Sequence, residues 1–273
     1  MGSLTGTVAL VTGASRGIGK GVALGLAESG ATVYITGRTK ISHGNGCSLQ
    51  LTATEAEKLG GRCVPIECDH QSDSESEAAV ALVVATEGRI DLLVNSAWGG
   101  YENIVEDGAF TFAAPFWEQP LWRWDAMFTV GLKATFVCSR RAAAQMVAQQ
   151  SGLIVNVSSF AGKTYELNAL YGTVKSATDR LTSDMGVELA PHGVVAVSIY
   201  PGLVRTENVV DSGFFDLSNS ESPQFIGRAI AHLFQDSDIQ EKNGKVVVAA
   251  DLAIEYGFTD VDGKQPSSLA VQP

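Results

Sequence analysis

Tyr171 and Lys175 stand four residues apart in the stretch ALYGTVKSA, residues 169–177. Any helix formed there puts both side chains on one face. A free phenol has a pKa of about 10 and is a sluggish base at neutral pH. A cation about 4 Å away, at an effective dielectric of ~20, supplies about 4 kcal/mol, enough to lower that pKa by roughly three units. The pair is therefore a candidate proton-transfer couple in which Lys175 acidifies Tyr171. The plainer alternative is an amphipathic helix with a core tyrosine and a lysine whose stem lies along apolar surface. Upstream, Ser158 and Ser159 close an apolar run. Adjacent strand residues face opposite ways, so only one of the two serines can face a pocket.

A second constellation, VTGASRGIGKG, joins an apolar run to a helix-forming segment. Gly13, Gly17 and Gly19 allow a sharp turn, close approach to a pyrophosphate, and tight packing of helix on strand. The helix amino terminus then offers free N–H groups and a partial positive charge to an anion. A plain tight turn is the alternative, but the strand before it and the helix after it are the context that favours a dinucleotide. Cofactor choice should be set after the second strand, where a carboxylate would bond the ribose hydroxyls and repel a 2′-phosphate. The chain reads Thr36-Gly37-Arg38 there. Arg38 can fork onto a 2′-phosphate, with Arg16 approaching from the glycine turn, so NADP(H) is expected over NAD(H).

Apolar runs predict seven strands, at Thr7–Thr12, Thr32–Thr36, Arg62–Cys68, Asp91–Ala97, Gly152–Ser159, Gly193–Gly202 and Gly244–Ala250. Most are continuous β-branched runs, the pattern of strands covered on both faces. Helical patterns end near Gly30 and span Ser76–Thr86, Trp122–Gln149 and Ala169–Ala190. The alternation predicts an α/β fold: a doubly wound, Rossmann-type parallel sheet of about seven strands with helices on both faces. No linker-like stretch divides the chain, so one domain over 1–273 is expected. Three stretches look inserted, Thr39–Ser48, Trp98–Pro120 and Val204–Pro223. The latter two leave carboxyl ends of strands near the middle of the sheet, where such folds bind ligands. Trp98, Phe110, Phe112, Phe116 and Trp117 suggest an apolar substrate lid over 98–120. Their alternative places are the core or a subunit contact.

With 19 basic and 30 acidic residues the formal charge is −11, which disfavours general binding to nucleic acid or anionic membrane. Cys47, Cys63, Cys68 and Cys138 form no CxxC pair, so reduced thiols in the cytoplasm are the default reading, with peripheral association at an organelle membrane left open. The start MGSLTGTVAL is not a secretory signal, and Gly6 breaks the myristoylation pattern. No apolar stretch reaches spanning length. There is no HExxH, no paired Cys/His cluster and no P-loop lysine, so neither a catalytic metal nor nucleotide hydrolysis is expected. His43, His70, His192 and His232 are dispersed and read as structural or surface residues.

TGASRGIG (12–19), NSA (95–97), SS (158–159), YGTVK (171–175) and PGLVRT (201–206), in that order and spacing, resemble the short-chain dehydrogenase/reductase family over residues from about 5 to 250. The resemblance implies a hydride transfer between a nicotinamide dinucleotide and a carbonyl or secondary alcohol. Ser159 would orient the carbonyl, Tyr171 pass the proton and Lys175 hold the nicotinamide ribose. The implied cofactor-binding set is Gly13, Ser15, Arg16, Gly17, Ile18, Gly19, Arg38, Asp69, Asn95, Ala97, Tyr171, Lys175, Pro201, Gly202, Val204 and Thr206. Asp69 would lie beside the adenine amino group, or else cap the next helix. Asn95 and Ala97 would run along a ribose, and Val204 and Thr206 would meet the carboxamide. Homodimers or homotetramers are expected.

Two positions depart from the family. Gly131 replaces an asparagine that holds a relay water, a gap that could admit a water instead, and Trp98 replaces the glycine of the NAG motif, where it narrows the site or simply packs. A regulatory or scaffold protein that binds dinucleotide without turnover is the second reading. A sugar epimerase or enoyl reductase is a third, disfavoured by the glycine spacing and by YGTVK.

Overall fold

The computed structural model describes residues 3–41, 47–101, 104–106 and 109–269. Strand β1 (Val8–Val11) is buried at every position. It leads through the glycine turn into α1 (Gly17–Glu28), then β2 (Thr32–Gly37), α2 (Leu49–Lys58), β3 (Arg62–Glu67), α3 (Asp73–Glu87) and β4 (Leu92–Asn95). A long helix, α4 (121–149), follows the aromatic loop. It is α-helical over Leu121–Ala126, π-helical over Met127–Lys133 and α-helical again over Ala134–Gln149. Then come β5 (Gly152–Val157), α5 (Ala169–Leu189), β6 (Val194–Tyr200), α6 (Glu207–Ser212), α7 (Pro223–Phe234), β7 (Val246–Val248) and α8 (Ala249–Tyr256).

The seven strands make one sheet in the order β7-β6-β5-β4-β1-β2-β3, every pair parallel. Order reverses between β1 and β4, which opens a crevice at their carboxyl ends. Alternate residues of each strand feed two cores. Ala9, Val11, Val33, Leu92 and Val155 meet α1, α2 and α7 on one face, where Leu26, Ala53 and Ile230 are buried. Val8, Leu10, Leu93 and Ile154 meet α3 and α4 on the other, through Val80, Val83, Cys138 and Met146. Both faces are dry, which is why the strands read as continuous apolar runs.

Four helices went unread in the sequence, among them the short α6 inside the third inserted stretch. α2 follows the inserted loop, with Ser48 Oγ accepting from Leu51 N–H at 3.1 Å as its cap. α7 begins on Pro223 under a Ser222 cap. The last strand stops at Val248, and Ala249 and Ala250 open α8 rather than continuing it, since alanine favours helix where the strand no longer has a neighbour to pair with. His43 and half of the first inserted loop, residues 42–46, lie outside the described residues.

Candidate active site

The glycine turn is shaped by close approach. Gly13 has φ +68°, and a Cβ there would stand 2.6 Å from Ala97 Cα. A Cβ on Gly19 would stand 2.3 Å from the Gly13 carbonyl oxygen. Side chains are excluded from both places, and the backbone of 13–19 is left bare beside the end of β4. Thr12 sets that distance: its Oγ1 accepts from Ser96 N–H at 3.0 Å and Ala97 N–H at 3.1 Å. Thr12 was quoted in the motif but not assigned a role.

Arg16 precedes α1 with no capping bond from its side chain, so the first-turn N–H groups await an acceptor. One has found it: Gly17 N–H donates to Glu207 Oε2 at 2.9 Å. A carboxylate thus stands where a phosphate oxygen fits, and the bare cradle and its anion acceptor suit a dinucleotide pyrophosphate. Ser15 lies under Gly37 at the end of β2, Ile18 packs on the core, and Arg16 and Arg38 are exposed at the rim. Asp69 Oδ1 accepts from Gln71 N–H at 3.0 Å. It does not cap α3; Ser72 does, accepting from Glu75 N–H. Gly202 N–H donates to Glu221 Oε2 at 2.9 Å, Val204 is buried, and the Thr206 methyl lies 3.6 Å from where a Cβ on Gly17 would be. The PGLVRT turn is therefore laid against the glycine turn. Pro201 is buried beneath it.

Asn95 spends its amide nitrogen inside the protein, while its Oδ1 is buried with no hydrogen-bond partner among the described residues. Its Nδ2 donates to Ser139 Oγ at 2.9 Å and Asn156 Oδ1 at 2.8 Å, behind the sheet. What it presents to the crevice is backbone, as does Ala97.

Tyr171, Lys175 and Ser159 converge at the carboxyl end of β5. Asn168 caps α5, its Oδ1 accepting from Tyr171 N–H at 2.8 Å, which fixes where the helix starts. The preceding Leu167 has φ +63°, a conformation that β-carbon-bearing residues rarely hold. Ser159 Oγ accepts from Ala161 N–H at 3.3 Å and lies near enough to the Tyr171 hydroxyl to favour its ionised form. Ser158 faces the other way and donates to the Lys175 carbonyl at 3.4 Å. Lys175 Nζ donates to Val157 O at 3.0 Å and lies 4.3 Å from the centroid of Trp98.

The expectation that Lys175 acidifies Tyr171 is corrected by this geometry. Burial pushes the Tyr171 phenol above its ordinary value, Ser159 and Tyr101 hydroxyls pull it back down, and the Glu166 carboxylate pushes it up. The ammonium sits 5.8 Å from the phenol ring centroid, turned to Val157 and the indole. Burial lowers Lys175 itself to about 8, against an opposing pull from Asp179.

The second correction concerns Gly131. It is π-helical, and a Cβ there would stand 2.4 Å from Trp98 Cζ3. The missing side chain does not leave room for a water; the indole fills it. The other aromatics of the loop divide. Phe112 is 1% exposed and packs edge-on to Tyr171 at 5.7 Å, whereas Phe116 and Trp117 are 66% and 71% exposed. Arg123, 0% exposed, gathers the loop from inside: it donates to the Thr111 carbonyl at 3.1 Å and to Gln119 Oε1, with its guanidinium 4.9 Å from the Trp122 ring. Nothing in its neighbours' pattern marks it as buried. Asn168 was legible as a helix cap just before the apolar run of α5, and Tyr101 carried no signal.

His70 is buried between Thr36 Oγ1 at 2.7 Å and Ser76 Oγ at 3.0 Å, and burial lowers it to about 4. None of the four cysteines is in a disulfide, and burial pushes Cys63, Cys68 and Cys138 up to about 12. Among the described residues no group of three His, Cys, Asp or Glu could hold a metal ion, and no helix is long and apolar enough to cross a membrane.

A family model described as short chain dehydrogenase matches residues 7–213. The chain belongs to the short-chain dehydrogenase/reductase family. It is 43% identical over 276 aligned positions to dehydrogenase/reductase SDR family member 1 of Mus musculus, an alignment covering 96% of this chain and 85% of that one. A metagenomic short-chain oxidoreductase solved in complex with NADP is 30% identical with a TM-score of 0.71, over 90% of this chain and 96% of that one. A 7α-hydroxysteroid dehydrogenase solved with NADH and 7-oxo glycochenodeoxycholic acid, 23% identical with a TM-score of 0.75 over 97% of each chain, shares the fold. As a short-chain dehydrogenase/reductase, the protein is an oxidoreductase of a family that binds nicotinamide dinucleotides.

Proposed function

We propose that the protein is an NADP(H)-dependent carbonyl reductase or alcohol dehydrogenase acting on an apolar small molecule. The observation that carries this reading is that Ser159, Tyr171 and Lys175 gather at the carboxyl end of β5, in a fold whose glycine turn lies bare at the end of β4. The nicotinamide supplies or takes the hydride. Tyr171 gives its proton to the carbonyl oxygen in reduction and takes one in oxidation. Ser159 holds that oxygen. Lys175, protonated at neutral pH, would hold the nicotinamide ribose.

Arg16 and Arg38 at the rim, with no carboxylate after β2, favour the 2′-phosphorylated cofactor. Phe112, Tyr101 and Trp98 around the phenol favour an apolar substrate. A groove lined by Phe128, Leu132, Phe136 and Leu181 between α4 and α5 supports a homodimer or homotetramer. The whole chain is taken as one domain, and cysteines outside any disulfide fit the cytoplasm.

A dinucleotide-binding regulator is the second reading, favoured by the indole that fills the relay position at Gly131. NADPH oxidation against quinones, diketones, steroids and aldehydes separates the two. Turnover abolished in Tyr171→Phe supports the enzyme; NADPH binding with no turnover on any of them supports the regulator. Tighter binding of NADH than NADPH refutes the cofactor assignment.

A further inference from the structure

Tyr101 lies in the loop after β4, outside every motif in the sequence. The residue is 44% exposed, yet its hydroxyl turns inward and donates to the Tyr171 hydroxyl oxygen at 3.0 Å. Trp98 and Phe112 flank the ring at centroid distances of 5.7 and 5.4 Å. Asn168 ties this wall to the reaction centre: Nδ2 donates to the Phe112 carbonyl at 2.7 Å while Oδ1 caps Tyr171. One side chain thus fixes both the helix that carries Tyr171 and the wall that holds Tyr101.

We propose that Tyr101 is a positioning residue of the proton-transfer step, donating a hydrogen bond that orients the Tyr171 oxygen and stabilises it as a phenolate. The proposal rests on the reading of Tyr171 as acid/base. In reduction the Tyr171 O–H bond breaks, its proton bonds to the carbonyl oxygen as hydride reaches the carbon, and the electron pair stays on the phenol oxygen. That oxygen then accepts from Tyr101, while the single Ser159 O–H serves the carbonyl oxygen. Tyr101 keeps its own proton, since burial and the neighbouring phenol hold it well above its ordinary range. The other groups facing Tyr171 cannot replace it. Lys175, one turn along α5, is committed to Val157 and Trp98; Glu166, before α5, opposes ionisation; Phe112 and Trp98 are neutral rings with no donor aimed at the oxygen.

The test follows Tyr171 directly, in protein labelled with [13Cζ]tyrosine and bound to NADP+, with Tyr171→Phe assigning the resonance. In Tyr101→Phe the Tyr171 midpoint should move upward by about one pH unit, the rising limb of alcohol oxidation should move with it, and kcat/KM at neutral pH should fall about tenfold. 3-Fluorotyrosine at position 101, a stronger donor of the same shape, should move the midpoint the other way. A midpoint unmoved in both variants overturns the proposal, as does a phenol that stays protonated over the whole range in which the fold holds. So does a rise in kcat/KM with an unmoved midpoint, the result expected if Tyr101 merely occupied the place of the substrate oxygen. None of these outcomes bears on whether turnover needs Tyr171, which the Tyr171→Phe protein reports separately.

Discussion

Trp98 and Gly131 are packed as one unit: the indole abuts the π-helical glycine, with Cζ3 2.4 Å from where a Cβ would be, and the Lys175 ammonium lies 4.3 Å from the centroid of the same ring. A tryptophan where the family motif has glycine and a glycine where the family has asparagine are thus two halves of one exchange of volume. Gly131→Ala should overpack this contact, cost about 1–3 kcal/mol and displace the indole from Lys175. Trp98→Gly should leave a void and cost about 3–5 kcal/mol. The double variant Trp98→Gly/Gly131→Asn should cost clearly less than the sum of Trp98→Gly and Gly131→Asn. Urea unfolding of the wild type and these three variants measures this; additive costs would mean the two positions do not share space.

The Glu207 carboxylate on Gly17 N–H competes with any phosphate for the start of α1. Removing it should ease dinucleotide binding. Glu207→Ala is expected to lower the Kd for NADPH about tenfold, the value of one charge-assisted bond, and Glu207→Gln by less because the amide oxygen still accepts. Titration of NADPH fluorescence gives both numbers. Weaker binding in Glu207→Ala would show that the carboxylate assists the cofactor instead.

Arg123 holds the aromatic loop from within the protein. Its truncation leaves Gln119 Oε1 without its Arg123 donor, leaves the Thr111 carbonyl only the 3.4 Å bond from Gln119 Nε2, and unstacks Trp122. Arg123→Ala should destabilise the fold by roughly 3 kcal/mol. It should also raise KM for apolar substrates more than it lowers kcat, because Phe112 and Tyr101 are positioned by the same loop. Chemical denaturation and steady-state kinetics check the two effects.

Glu221 gives stability a pH dependence. It is 1% exposed, and burial raises its carboxyl to about 8 from 4.5, although the Gly202 N–H and Arg205 pull it down. The folded protein keeps a proton that the unfolded chain releases above about pH 4.5, so the contribution of Glu221 is full below that point and is lost as pH rises toward 8. Wild type should lose roughly 2–4 kcal/mol from this group across that window. Glu221→Gln, which can still accept from Gly202, should flatten that slope. Unfolding free energies at the two ends of the window decide it.

The strands and their parallel order were legible because each is a short β-branched run covered on both faces, a pattern that half-exposed strands do not share. The glycine turn was legible for a related reason: close approach forbids a Cβ, and only glycine satisfies that. Tyr171 and Lys175 were legible as a pair through helical spacing, but their electrostatics were not. Spacing along α5 says which face a side chain occupies, whereas the direction of Nζ depends on Val157 and Trp98, distant in sequence. Tyr101, Glu207 and Arg123 were hidden for the same reason, since each acts through a loop whose path no local pattern encodes. Helix α2 escaped notice behind an insertion, and α8 behind a strand it was expected to prolong.

Asn95, Asn156 and Ser198 lie abreast on β4, β5 and β6, linked through Thr182 of α5. A slip of any of these strands by one residue would turn its amide or hydroxyl into the aliphatic layer beneath α1 and α7, with no acceptor in reach. This row therefore works as an alignment key. It admits a single threading of the three strands whose ends bear Ala97, Ser159 and Pro201, so misassembled sheets would be penalised before any ligand could meet them.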